Sequence, residues 1–358
     1  MKRKLKILFF DNSTKLETVR DLETRGRGGM VTSLFKVSDF LSREGHDVWV
    51  LSDIAEPGKT AAGTSWIAKG CRIWEKKEWD ALVLNRGTGD AIPEIRAKRR
   101  VLWTHDLPHN GFIPDPRTAK AIDLTIFMSG YAEWVWRAFY RTIGKSARIP
   151  NGVDKTIFHP REEKDLGYLI FASAPNRGLK RLPLIFEAIK SRVDRPVRMR
   201  AFSNMKALHP NEIRGDDDGF SLDYKNCRDA GIELMDPVPQ TDLAEELGMA
   251  GLMILPTDYP EICSNIILQS LASGTPIITT GGIGSAGEWV ENGWNGRLTE
   301  YQPVDYMIHT VEMVRSAVSV LEDENLHRRM IGNAARTKGI YTWEEVGLQW
   351  EKQLRKLF

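Results

Sequence analysis

The chain is poor in cysteine, has no long apolar run and carries almost no net charge, and each shortage removes a class of protein. Cys71, Cys227 and Cys263 are odd in number and scattered, which argues against a disulfide framework and against a zinc site. They are read as reduced thiols. No stretch of eighteen apolar residues is present, so no membrane-spanning helix is expected. The basic start "MKRKLKILFF" runs straight into a strand pattern, without the cleavage region of a secretory signal. These features predict a soluble, cytoplasmic protein. Repeats of solenoid period and low-complexity segments are also missing. The net charge of +2 hides an asymmetry, because residues 1–150 hold 26 Lys+Arg against 18 Asp+Glu and the remainder 24 against 30. A basic first half suits an anionic acceptor or a membrane surface, although ordinary solvated charge is the plainer account. No nucleic-acid partner is expected.

What is present is alternation. "KILFF", "HDVWVLS", "WDALVLN", "RVLWTHD" and "IDLTIFMS" read as strands of the first half, with "VTSLFKVSDFLSREG" and "YAEWVWRAFYRTIG" as helices. The second half repeats the scheme with "GYLIFASA", "RPVRMRAFS", "GIELMDPV", "GLMILPT" and "TPIITT". Strands alternating with helices imply parallel sheets covered on both faces. At 358 residues two such domains are expected. The turn-rich "IPNGVDKTIFHP" marks the boundary, which predicts domains at 1–150 and 151–341 and a closing segment at 342–358. The fold class is α/β, two Rossmann-like doubly wound parallel-sheet domains facing a cleft, with ligand at the carboxyl ends of the strands.

Several stretches place chemistry at such strand ends. In "YPEICSNIILQSLASGTPIITT" a helix predicted over 264–273 is stopped by Gly274 and followed by a buried strand. Glu261 stands before its first turn, where free backbone N–H groups seat an anionic or hydroxyl-rich ligand, and Gln269 falls further along, within reach of the same ligand. "RGRGGMVTSLF" sets Gly26, Gly28 and Gly29 before a helix and lets backbone approach a phosphate or sugar. Their distance from the first strand and the missing third glycine do not fit a dinucleotide fingerprint. In "WTHDLPHNG" His105 and Asp106 follow a strand, with His109 a lesser candidate, and a turn histidine satisfied by backbone is the structural alternative. "SAPNRGLKRLPLIFEAIK" offers Arg177, Lys180 and Arg181 as cations for a diphosphate, against the alternative of a solvated basic helix start. Asp216 to Asp218 in "RGDDDGF" read as an exposed turn rather than a metal site. Cys263 has no histidine nearby in sequence to make it a nucleophile. The helix "YAEWVWRAFYRTIGK" interleaves aromatic and basic residues and reads as packed with basic edges rather than as a membrane-surface helix.

Together these pieces resemble the retaining, nucleotide-sugar-dependent glycosyltransferases of family four (glycosyl transferases group 1), which have the GT-B architecture. The resemblance runs over nearly the whole chain, through the Gly28–Gly29 loop, "EGHDVWVLS", "THD", "IPNGVDKTIFHP", "PEICSNIILQSLASGTPIITTGGIGSAGEWVENGWNGRL" and the closing "YTWEEVGLQWEKQL". It implies that residues 342–358 cross back to the N-terminal domain, that this domain serves the acceptor, and that the C-terminal domain binds the donor. Glu261 matches the first member of the family's Glu-x7-Glu pair and would contact the donor sugar. Gln269 replaces the second, ribose-binding glutamate and loses its charge-assisted bond. The resemblance further implies donor binding by Gly28, Gly29, Val238 and the backbone of Ile262, Cys263, Ser264 and Asn265. Here "ICSN" replaces a commoner glycine-rich stretch. The family's phosphate-binding arginine would fall near Ser173, Arg177 fits its lysine position, and Lys180 is preferred over Arg181 for the second cation.

Transfer of a sugar to a hydroxyl acceptor with retained configuration is the expected reaction, with a glycan, a lipid-linked saccharide or a small molecule as acceptor. Glu261, His105, Arg177 and Lys180 are its expected catalytic residues. No cofactor and no metal are expected beyond the nucleoside-diphosphate sugar, because cations and helix N–H groups would stabilise the leaving diphosphate. Peripheral contact with a membrane or a lipid-linked acceptor extends the cytoplasmic assignment. A sugar-nucleotide-binding protein without turnover is the rival reading, followed by a two-domain epimerase and a dinucleotide oxidoreductase.

Overall fold

The apolar runs of the first half assemble into one sheet and those of the second half into another. The computed structural model describes residues 3–20, 28–87, 91–108, 116–205, 218–302 and 306–358. Gly26, His109, Asp216 and Asp217 lie outside the described residues. The chain divides into two units, Met1–Gly152 with Tyr341–Phe358, and Val153–Ile340.

Unit 1 contains β1 (Lys6–Thr18), β2 (Asp47–Glu56), β3 (Gly58–Lys59), β4 (Ser65–Ala68), β5 (Trp79–Asn85), β6 (Ala97–Trp103), β7 (Leu124–Phe127) and β8 (Ser146–Arg148). They lie in the order β3-β4-β2-β1-β5-β6-β7-β8, parallel throughout except for β3 against β4. Both faces of β5 are buried over all seven residues, as a central strand of a two-sided parallel sheet requires. The first strand runs further than its apolar core suggests. After a register shift between Phe10 and Lys15 it pairs again with β2 as far as Thr18.

Unit 2 begins within a short strand, β9 (Gly152–Val153), where the chain leaves unit 1. Its sheet contains β10 (Asp165–Ala172), β11 (Arg198–Phe202), β12 (Glu233–Met235), β13 (Ala250–Leu255), β14 (Ile277–Gly281) and β15 (Gly296–Glu300), in the order β12-β11-β10-β13-β14-β15 and wholly parallel. Strand order reverses between β10 and β13, and in unit 1 between β1 and β5. Loops leaving adjacent strands part to opposite sides at such points and open a crevice at the carboxyl ends. The half-polar β3, β4, β8 and β15 carry no long apolar run, which is why the sequence pattern passes over them.

The final helix, Trp343–Arg355, belongs to unit 1 and starts with a capping box between Thr342 and Glu345. Trp350 is buried against Trp103 at the end of β6, ring centroids 4.6 Å apart, and against Phe9 of β1 at 6.3 Å. Gly347 lets the helix lie directly on Phe40, because a Cβ there would come within 2.1 Å of the Phe40 ring. Helix propensity alone would favour alanine at this interior position by about 0.5–1 kcal/mol. Overpacking a core contact costs about 1–3 kcal/mol, so the clash wins. Gly347→Ala is therefore expected to lower the urea midpoint of unfolding, and a midpoint at or above that of the wild type would show that the helix can move off Phe40.

Candidate functional site

The crevice end of unit 2 is built by three loops. The loop after β10 makes a short 3-10 turn at Pro175–Arg177, then reverses through Gly178 at φ +106. A Cβ at Gly178 would lie 2.3 Å from the carbonyl oxygen of Pro256, so glycine is needed both for the dihedral and for the approach. That carbonyl also accepts a hydrogen bond from Arg181 Nη1 at 3.2 Å. Arg181 is buried, donates to Asp258 at 2.9 Å, and lies 3.1 Å from Nδ1 of His309. This arginine fastens the β10 and β13 loops to each other and has no free edge for a diphosphate. Lys180 is 56% exposed, and its Nζ lies 4.0 Å from the same Asp258 carboxylate.

Arg177 and Glu261 meet. Arg177 Nε donates to Glu261 Oε1 at 2.6 Å, and both side chains are half-buried. The Glu261 backbone is pinned as firmly as its carboxylate. Its carbonyl accepts from the backbone N–H of Ser285 at 2.7 Å and from the Ser285 hydroxyl at 3.0 Å. Gly284, at φ +67, allows the third loop to come this close, since a Cβ there would lie 2.7 Å from Glu261 N and O. Behind Glu261 the helix Asn265–Ala272 begins without a side-chain N-cap at Ser264. Ile262, Cys263 and Ser264 are buried, so they can face a ligand only through the backbone.

Gln269 lies one turn after Asn265 on the same helix, half-buried, and its amide nitrogen donates to Gln240 Oε1 at 2.6 Å. Gln240 opens the helix after β12, two residues beyond the half-buried Val238. The bond sets the Val238 loop beside the Asn265–Ala272 helix. Gln240 carries no motif signal, and only its pairing singles it out. Asp218 accepts from the Phe220 backbone and from the Tyr224 hydroxyl, as a turn residue does.

In unit 1, His105 follows β6 with its ring on Trp103, centroids 4.4 Å apart. Its Nε2 is shut off from solvent and has no hydrogen-bond partner among the described residues. Burial, reinforced by the charge of Arg86, pushes the imidazole down to about 3, so it is neutral at physiological pH. Asp106 accepts a short hydrogen bond from Arg86 Nε, and its carbonyl accepts from Trp136 at 2.8 Å. Arg86, at the end of β5, is the single non-glycine residue at positive φ, +64, among the described residues, a strained position that sequence motifs do not mark. Gly28 is exposed with φ −57, and a Cβ there would meet nothing within 4 Å among the described residues. Gly29 is the first helical residue, and its carbonyl accepts from Ser33, whose hydroxyl also reaches Asn151 at 2.7 Å. The "NGVD" motif is thus structural in part, for Gly152 has no room for a Cβ against Trp343. In the helix Gly130–Phe139, Trp136 is packed as expected, whereas Trp134 and Phe139 are 67% and 65% exposed.

Two Rossmann-like units, each with polar groups gathered at the carboxyl ends of its strands, make up the GT-B glycosyltransferase fold. Solved structures agree. Sucrose-phosphate synthase from Thermosynechococcus elongatus is similar with a TM-score of 0.75 at 14% identity, over 99% of this chain and 99% of that one. A glycosyltransferase from Rickettsia africae gives 0.72 at 15%, over 99% and 98%. Anabaena HepE, in complex with UDP and glucose, gives 0.68 at 15%, over 98% and 100%. Residues 168–323 match the family model described as Glycosyl transferases group 1. No curated protein matches the sequence.

The buried histidines yield a test of the electrostatics. His105 is held at about 3, His309 at about 4, and His46 and His327 are also lowered, in each case mainly by burial. A depressed histidine contributes stability that is complete above about pH 6.5 and is lost as pH falls, because only the unfolded chain takes up the proton, at about 1.4 kcal/mol per pH unit and group at most. The Tm is expected to fall between pH 7.5 and 5, less steeply in His309→Gln. A flat profile would mean that these rings take up protons in the native state as readily as in the unfolded chain.

Proposed function

We propose that the protein transfers a sugar from a nucleoside-diphosphate sugar to a hydroxyl acceptor with retention of configuration, and that it needs no metal. The observation that carries this reading is the Arg177–Glu261 pair, which presents a cation and a carboxylate together at the uncapped start of the Asn265–Ala272 helix. Unit 2 is the donor side. Backbone N–H groups of that helix, Arg177 and the exposed Lys180 meet the diphosphate, and Glu261 meets the sugar. As the glycosidic bond breaks, negative charge grows on the leaving diphosphate while the sugar takes oxocarbenium character. The fixed cations and N–H groups therefore act most strongly in the transition state. A phosphate oxygen of the leaving group takes the acceptor's proton as the new bond forms on the same face. Gln269, with Gln240 and Val238, receives the nucleoside.

Unit 1 is the acceptor side. Neutral His105 positions donor or acceptor by hydrogen bonding and is not a general base. Ligand approach is a sufficient reason for glycine at position 28, where no contact among the described residues asks for it. The exposed Trp134 and Phe139, beside Arg141 and Lys145, suit peripheral contact with a membrane that carries a lipid-linked acceptor, in glycan biosynthesis at the cytoplasmic face. HepE is solved with UDP-glucose, which supports a uridine nucleotide as the first donor to try.

A thermal-shift screen of UDP, GDP, ADP, CDP and dTDP and their sugars tests donor binding, since ligand at about 100 times its Kd stabilises by about 2.7 kcal/mol. With the matching donor, Glu261→Ala should lower turnover by about a hundredfold or more at a Tm within a few degrees of wild type. Unchanged turnover removes Glu261 from the site. Transfer should persist in excess chelator, and loss that magnesium or manganese restores would overturn metal independence. Binding without transfer to any acceptor would favour the nucleotide-sugar-binding reading, which Gln269 in place of a carboxylate keeps in play.

A further inference from the structure

The turn Tyr259-Pro260-Glu261 closes on itself, with the Glu261 N–H donating to the Tyr259 carbonyl at 2.9 Å. It brings two unlike groups onto one guanidinium. The Glu261 carboxylate takes Nε of Arg177 at 2.6 Å, and the Tyr259 ring lies 3.6 Å from the guanidinium carbon. The Tyr259 backbone is held in turn by the Thr257 hydroxyl at 3.1 Å. One edge and one face of Arg177 are thereby committed. Nη1 and Nη2 make no hydrogen bond among the described residues, and they form the one edge that remains.

We propose that Tyr259 is a positioning residue that, with Glu261, holds Arg177 so that its Nη1–Nη2 edge receives the donor diphosphate. The inference rests on the reading of Arg177 as a diphosphate ligand and adds a residue that no motif marks. A planar fork whose Nε is bonded still has parallel N–H groups for two phosphate oxygens, and a ring beneath the plane stops it from tilting. A lysine is a point charge without a face or a second edge, so it cannot bond Glu261, stack on Tyr259 and receive an oxyanion at once. This accounts for arginine at a position where the family resemblance has lysine.

Titration of UDP against uridine decides the matter, with GDP against guanosine and ADP against adenosine as parallel arms, because the difference within a pair reads the diphosphate alone. Tyr259→Leu should weaken the diphosphate about three- to tenfold, the range of one cation–π contact, and leave the nucleoside unchanged. Tyr259→Phe, which keeps the ring, should restore wild-type affinity. Arg177→Lys should lose as much diphosphate affinity as Arg177→Ala, a comparison that stands even if the Tyr259→Leu protein fails to fold. Unchanged affinity in Tyr259→Leu, equal weakening of nucleoside and diphosphate, no recovery in Tyr259→Phe, or full affinity in Arg177→Lys would each overturn the proposal. If the wild type binds none of the diphosphates, the donor reading itself falls and takes this inference with it.

Discussion

The contact between Gly178 and the carbonyl of Pro256 governs the geometry of unit 2. Two loops that leave neighbouring strands at a sheet's switch point would ordinarily diverge, and here one glycine without a Cβ brings them into van der Waals contact. Everything polar at that end follows from this approach. Arg181 is buried because the approach encloses it, and Asp258, the Pro256 carbonyl and His309 take up its Nη1 and Nη2 groups, while Nε has no partner among the described residues. Arg177 can reach across to Glu261 because the two backbones are already held together. The third loop repeats the device with Gly284 against Glu261. Preorganisation of this kind places charges before a ligand arrives, so little reorganisation is left for the reaction.

In unit 1 the crevice end is ordered by aromatic packing as well as by an ion pair. Trp350, Trp103 and His105 form a chain of edge-on and tilted ring contacts from the final helix to the end of β6, so a helix from the far end of the sequence helps to set the imidazole. Arg86 adds the one backbone conformation that only surrounding structure can impose on a non-glycine residue, and its pair with Asp106 fixes the neighbouring loop.

Alternation of apolar runs made the parallel sheets, the separation into two units near residue 150, and the helix behind Glu261 readable in advance, because period and punctuation are local properties. Glu261 and Arg177 stand out in the sequence for the same reason: each follows a strand. Pairing was not. That Arg181 is a fastener and Lys180 is exposed depends on which way a turn faces after Gly178, and that Gln269 bonds Gln240 depends on two helices remote in sequence. Tyr259 and Arg86 look like ordinary loop residues until a guanidinium above a ring, or a positive φ, sets them apart. Strands β3, β8 and β15 were missed because edge positions tolerate polar residues.

The return of the final helix to unit 1 also sets an order of synthesis. Residues 3–152 emerge first but lack Trp350 and the helix face that covers Phe40, so the sheet of unit 1 must wait with that flank open while Val153–Ile340 is translated and folds. Unit 2 is continuous and can complete itself on the ribosome. Unit 1 closes only once the helix Trp343–Arg355 has followed unit 2 in the order of synthesis, so of the two units it is the later to mature.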